Sequence, residues 1–167
     1  MSIELEIEQW DGKSANDIGK IYCSHCHDAL FTSKIIELIG NESLQKGATW
    51  LLKRYLENEN EISKVEISDI YKNLTTLEQW ESKLHILQSL PFIPIPKSKK
   101  KKVEVFLRKC LIDNNKFVRA WAYNGFYELA VQFPEYKSET KQFFEMAMRD
   151  EAPSVKSRIR NIMKKGF

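Results

Sequence analysis

Residues 23 to 27 read Cys-Ser-His-Cys-His, the densest cluster of metal-binding and nucleophilic side chains in the chain. Thiolate sulfur and imidazole nitrogen are ligands that suit zinc. Cys23, Cys26 and His27, at i, i+3 and i+4, share one face if the stretch is helical. A structural zinc site closes with four ligands, so Asp28, His85 or Cys110 would have to complete it, and no second Cys/His pair stands at a defined spacing. The same stretch spells the C-x-x-C-H pattern of covalent haem attachment, which requires export. The competing reading is the side of a helix, with Cys23 and Cys26 as small packing residues and His25 facing water. We adopt it, and assign no metal and no cofactor.

The second concentration is cationic. From Lys97 to Lys109 seven basic residues stand against Glu104 alone, and the final stretch adds Lys156, Arg158, Arg160, Lys164 and Lys165. Clustered ammonium and guanidinium groups engage phosphates, and aromatic rings on the same surface would add base stacking. Trp121, Tyr123, Phe126 and Tyr127 crowd one segment nearby. Trp121 and Phe126 occupy apolar positions and read as core, while Tyr123 and Tyr127 read as the exposed opposite side. Signals of catalysis are thin: there is no phosphate-binding glycine loop, no Gly-x-Ser-x-Gly elbow and no His-Glu-x-x-His. His85 sits in an apolar helical pattern and reads as a core histidine.

The elements that must position these groups read as helices almost throughout. With 43% hydrophobic and 29% charged residues, the 167-residue chain has the composition of a folded domain, and no apolar run is long enough to span a bilayer. Its first residues carry Glu4, Glu6 and Glu8 where a signal peptide would be basic and then apolar, so a cytoplasmic location without a membrane partner is expected. Three prolines in Leu-Pro-Phe-Ile-Pro-Ile-Pro interrupt helix at residues 90–96. After Asp113, Phe117, Val118, Trp121, Ala122, Phe126, Leu129 and Ala130 recur at spacings of three and four, predicting an amphipathic helix that Phe133-Pro134 ends. A second helix is expected at roughly 136–149, antiparallel to the first because the connection is short. Charge is divided: residues 1–90 hold 9 Lys/Arg and 15 Asp/Glu, residues 91–167 hold 17 and 8, giving −6 and +9. Such a split bears on partners rather than on fold.

A pattern repeats along this helical chain. Asp113 and Asp150 are each followed, after four residues, by a valine and a basic residue: Val118-Arg119 and Val155-Lys156. Phe106 and Phe143 stand seven residues before each aspartate, and Trp80 precedes Pro96 as Val118 precedes Pro134. A weaker copy begins at Asn41. Self-similarity near this period marks stacked helix pairs, none of which can bury its apolar face alone.

The pattern D-x-x-x-x-V-R-x-x-A, here Asp113, Val118, Arg119 and Ala122, resembles the HEAT repeat family, well over 97–165 and suggestively over 41–96. The later copy keeps Asp150 and Val155, with Lys156 and Ile159 in the third and fourth places. The resemblance implies an all-α fold, an α-α superhelix of about three to four helix pairs. Residues 1–40 would form an N-terminal cap, 41–149 the repeats and 150–167 a capping helix, within one domain. It also implies that Asp113, Arg119, Asp150 and Lys156 form a structural ladder at the start of each first helix. The function expected is non-catalytic docking of a protein or peptide, acidic in character, with Lys99, Lys102, Lys137 and Lys141 as contacts. The alternative is nucleic-acid binding through Lys99, Lys100, Lys101, Lys102, Arg158 and Arg160, with base-excision chemistry on DNA as its enzymatic extension.

Overall fold

Capping chemistry and proline placement cut the chain into ten α-helices with no strand, and the computed structural model describes residues 1–167. They are α1 (Ile3–Gln9), α2 (Ala15–His25), α3 (Phe31–Ile39), α4 (Gln45–Glu57), α5 (Lys64–Lys72), α6 (Trp80–Ser89), α7 (Lys100–Leu111), α8 (Lys116–Gln132), α9 (Lys137–Asp150) and α10 (Pro153–Met163). Ser2, Ser14 and Asn115 accept backbone N–H groups at the starts of α1, α2 and α8, satisfying donors that have no intrahelical partner. Ser63 and Glu66 close a reciprocal capping box on α5. Pro153 opens α10, where its missing N–H costs nothing. No helix is long and apolar enough to cross a membrane.

The chain divides into two compact units, Met1–Phe92 and Ile93–Phe167, and the boundary falls within the proline-bearing stretch. The division also separates charge, because Pro91 and Phe92 carry none: the first unit has a net charge of −6 and the second +9.

In the first unit α3 packs on α4 and α5, and α4 packs on α6. Ile35, Ile39, Leu51, Leu52, Ile70, Tyr71 and Ile86 form its fully buried interior. At Gly47 a β-carbon would stand 2.6 Å from Ile7 Cγ2, so α1 approaches α4 at a place where only glycine fits. His85 on α6 is buried, and its Nδ1 lies 3.0 Å from Thr49 Oγ1 on α4. The Thr49 hydroxyl donates to the Gln45 carbonyl at 2.8 Å, which leaves its lone pairs to accept the Nδ1–H of a neutral imidazole. Burial, reinforced by Lys53 and Lys46, pushes the His85 pKa down to about 3.

In the second unit α8 is the central helix, packed by α7, α9 and α10. It is buried almost all round, at Val118, Ala120, Ala122, Tyr123, Asn124, Gly125, Phe126, Leu129 and Ala130. This corrects the expected sidedness. Tyr123 lies inside, Trp121 is half-buried, and Phe117 at the helix start is exposed. Enclosure by three helices leaves no continuous solvent face for periodicity to report. One buried carboxylate, Glu104 on α7, accepts hydrogen bonds from Tyr136 Oη (2.8 Å), Lys101 Nζ (3.1 Å) and Arg108 Nη2 (3.0 Å). Arg108 reaches on to Glu139 of α9 at 2.8 Å, tying α7 to α9. Burial opposes the charge on Glu104, but these bonds hold its carboxyl below the usual range.

Candidate docking groove

Helix α9 buries Thr140, Phe144 and Ala147, and α10 buries Val155, Ile159 and Ile162, so each presents one apolar stripe to α8. Beyond Met163 the chain turns. Gly166 has φ +84°, in the left-handed region open to glycine at little cost, and this reverses the backbone so that Phe167 folds back towards α9. The Phe167 ring lies 5.5 Å from the Phe144 ring and 5.4 Å from the Tyr127 ring, centroid to centroid.

The result is an open groove of about 550 Å³, lined by Lys141, Phe144, Glu145, Met148, Arg149, Met163 and Phe167. Its floor is aromatic and thioether, surfaces that repack around apolar ligands of varied shape. Its rim is cationic. Lys141 Nζ stands 6.0 Å from the Phe167 centroid, Lys137 Nζ 5.9 Å, and Lys165 Nζ lies 5.3 Å from that of Tyr127. Lys137, Lys141 and Arg149 are exposed and form no ion pair within the protein; Glu145 is the one carboxylate lining the groove.

Of the four lysines expected to meet a partner, Lys141 lines this groove and Lys137 overhangs it. Lys99 and Lys102 lie elsewhere, at the N-cap and in the first turn of α7. The lysine run there is partly neutralised by the protein itself: Lys100 pairs with Glu135 at 2.6 Å and Lys101 with Glu104 at 3.1 Å. Arg158 on α10 lies over Trp121, with Cζ 4.0 Å from the ring centroid, and burial lowers its pKa. Arg160 is exposed on the same helix. The six residues of the nucleic-acid alternative are therefore divided between α7 and α10.

The ladder takes a different form from the expected one. Asp113 Oδ1 accepts the Asn115 N–H at 2.8 Å, and it is Asn115 that caps α8. Asp150 is the exposed last residue of α9 and caps nothing in α10. Arg119 pairs with the next residue, Glu151, while Lys156 on α10 forms no ion pair.

Around Cys23, helix α2 ends at His25, with Cys26 as its C-cap, so His27 falls in the following turn. Cys23 is exposed rather than packed, and His25 does not face water: it is half-buried, 2.9 Å from Glu6 Oε1. No three His, Cys, Asp or Glu side chains are grouped to hold a metal ion. Sequence reasoning missed Phe144, Met148, Met163 and Phe167 as groove residues. The available signal was Gly166, a turn residue three positions after Met163, the last apolar residue of α10, with an aromatic behind it.

Compared with known protein families, curated proteins and solved structures, the chain finds no match.

Proposed function

We propose that this chain is a non-catalytic binding protein that docks an acidic, amphipathic segment of a protein partner in the groove of α9 and α10. The observation that carries this reading is the groove: an aromatic and methionine floor whose rim cations, Lys137, Lys141 and Arg149, lack carboxylate partners of their own. An apolar floor takes the greasy stripe of a peptide, and a cationic rim selects acidic flanks and speeds encounter. The net +9 of residues 93–167 acts in the same direction over longer range.

The scaffold we propose is a HEAT-like stack of helix pairs. Support comes from the packing of alternate helices within each unit: α3 with α5, α4 with α6, and α8 with α10. Arg119 of α8 bonded to Glu151 just before α10 adds a polar rung between pairs.

The test is fluorescence anisotropy with labelled acidic and basic amphipathic peptides, set beside short duplex DNA and single-stranded RNA, at about 50 and 200 mM salt. Docking predicts acidic peptides bound at both salt concentrations and weakened by Lys141→Glu with Arg149→Glu. Preference for DNA or RNA, with affinity collapsing at the higher salt, would replace this reading with phosphate binding.

A further inference from the structure

We infer that the segment docked in this groove presents an aromatic side chain flanked by carboxylates, and that its ring takes the seat now filled by Phe167. The inference rests on the docking reading and specifies its partner.

The seat shows what it accepts. Phe167 meets Tyr127 edge-on, with the rings at 81°, and packs at a tilt on Phe144, whose own side chain is buried. Two ammonium groups, Lys137 and Lys141, stand near 6 Å above the same ring. A seat of two rings and two cations recognises a flat π-system, whose faces are negative and whose edges are positive. A branched aliphatic side chain fills similar volume but has no quadrupole to offer the lysines.

The occupant is held differently from the rest of the lining. Phe144, Met148 and Met163 belong to α9 and α10 and are fixed by helical backbone. Phe167 follows Gly166, and the last backbone hydrogen bond of this segment runs from Gly166 N–H to the Met163 carbonyl at 3.1 Å. Gly166 adopts positive or negative φ with similar ease, so rotation there can carry the Phe167 ring from its seat without unwinding α10, and a competing ring can enter. The lysines above the seat have no carboxylate in the protein, so acids within a helical turn of the incoming ring would complete them.

Occupancy by Phe167 reduces the apparent affinity for any ligand by the fraction of molecules whose seat is empty. That gives opposite signs for two variants. Phe167→Ala empties the seat and tightens binding by about three- to tenfold, whereas Phe167→Trp fills it more firmly and weakens binding.

The experiment selects a displayed random peptide library on the wild-type protein and on the Phe167→Ala variant. The affinity of synthetic, labelled winners is then measured by anisotropy on wild type, both Phe167 variants and Lys137→Glu with Lys141→Glu, with circular dichroism confirming helix content. The expected winners carry Phe, Tyr or Trp within a helical turn of Asp or Glu. They lose about tenfold or more when that ring becomes Leu and when the two lysines are reversed. Acidic winners without an aromatic, or Phe167 variants that leave affinity unchanged, overturn the aromatic seat and spare the docking groove. A library that yields no binder on either protein overturns both.

Discussion

Arg119 grips Glu151 with two prongs across 32 residues of sequence: Nε lies 2.9 Å from Oε1 and Nη2 lies 3.2 Å from Oε2. The same guanidinium donates through Nη1 to the Asp113 carbonyl at 2.9 Å and the Asn114 carbonyl at 3.2 Å. One side chain thus closes the α7–α8 turn and joins it to the approach of α10. A point charge on a flexible stem cannot reproduce that fork. Arg119→Lys is therefore expected to cost about 1–2 kcal/mol and Arg119→Ala about 2–3 kcal/mol, read as a shifted urea midpoint with an unchanged slope. A Lys variant as stable as wild type would show that the pair contributes charge alone.

Glu104 holds three donors at once, so neutralising it leaves Arg108 to Glu139, returns Lys101 to solvent and weakens the Tyr136 bond. Glu104→Gln is expected to destabilise the protein by about 1–2 kcal/mol at pH 7. The pH dependence follows from a folded pKa below the unfolded one. The contribution is complete above the unfolded carboxyl pKa and is lost as pH falls through the lower folded value. Urea titrations on the acid side of the ordinary glutamate range should show wild type losing stability more steeply than Glu104→Gln. Parallel acid limbs would rule out Glu104 as their source.

His85 gives a limb at higher pH. It is neutral in the fold, with a pKa near 3 against the ordinary 6.5, because burial and the ammonium groups of Lys53 and Lys46 disfavour its charged form. Glu81, paired with Lys46 at 2.9 Å, offsets part of that field. Below the unfolded pKa the unfolded chain takes up a proton that the folded chain refuses, so stability falls as pH drops. Between pH 7 and pH 4.5 the loss should reach roughly 2–3 kcal/mol, at about 1.4 kcal/mol for each unit below the unfolded pKa. His85→Gln should be nearly flat across that window. An equal slope in the variant would assign the effect to other groups.

Gly47→Ala sets two effects against each other. Alanine favours helix over glycine by about 1 kcal/mol, while its methyl would meet Ile7 Cγ2 at 2.6 Å inside a packed contact. Overpacking should win, with a net loss of about 1–2 kcal/mol that a second change, Ile7→Ala, partly reverses. A double-mutant cycle by thermal unfolding tests this, and a coupling near zero would mean that α1 simply moves aside.

What the sequence revealed depended on how each element is surrounded. The all-helical character, the break at residues 90–96 and the end of α8 at Phe133-Pro134 were legible because proline and apolar spacing act locally. The sides of α8 were not legible, because Tyr123 is drawn inside and Trp121 left half-buried once helices close on it from several directions. Asp113 was expected in a ladder at the start of α8, but Asn115, two residues nearer the helix, is the side chain that reaches the Phe117 and Val118 N–H groups. Lys141 could be read as a surface cation from sequence. Its place beside Met163 and Phe167 could not, since residues so distant meet only through the packing of α9, α10 and the turn at Gly166.

The stacking of Arg158 on Trp121 has an optical consequence. Trp10, Trp50 and Trp80 all belong to residues 1–92, so Trp121 is the single indole of the basic unit, with a guanidinium 4.0 Å from its ring centroid. A fixed positive charge against the π-cloud perturbs the excited state of the ring, and its removal would change both colour and yield of emission. With the other three tryptophans replaced by phenylalanine, the protein would carry a built-in fluorophore. That fluorophore would follow the seating of α10 on α8 in solution without any attached dye.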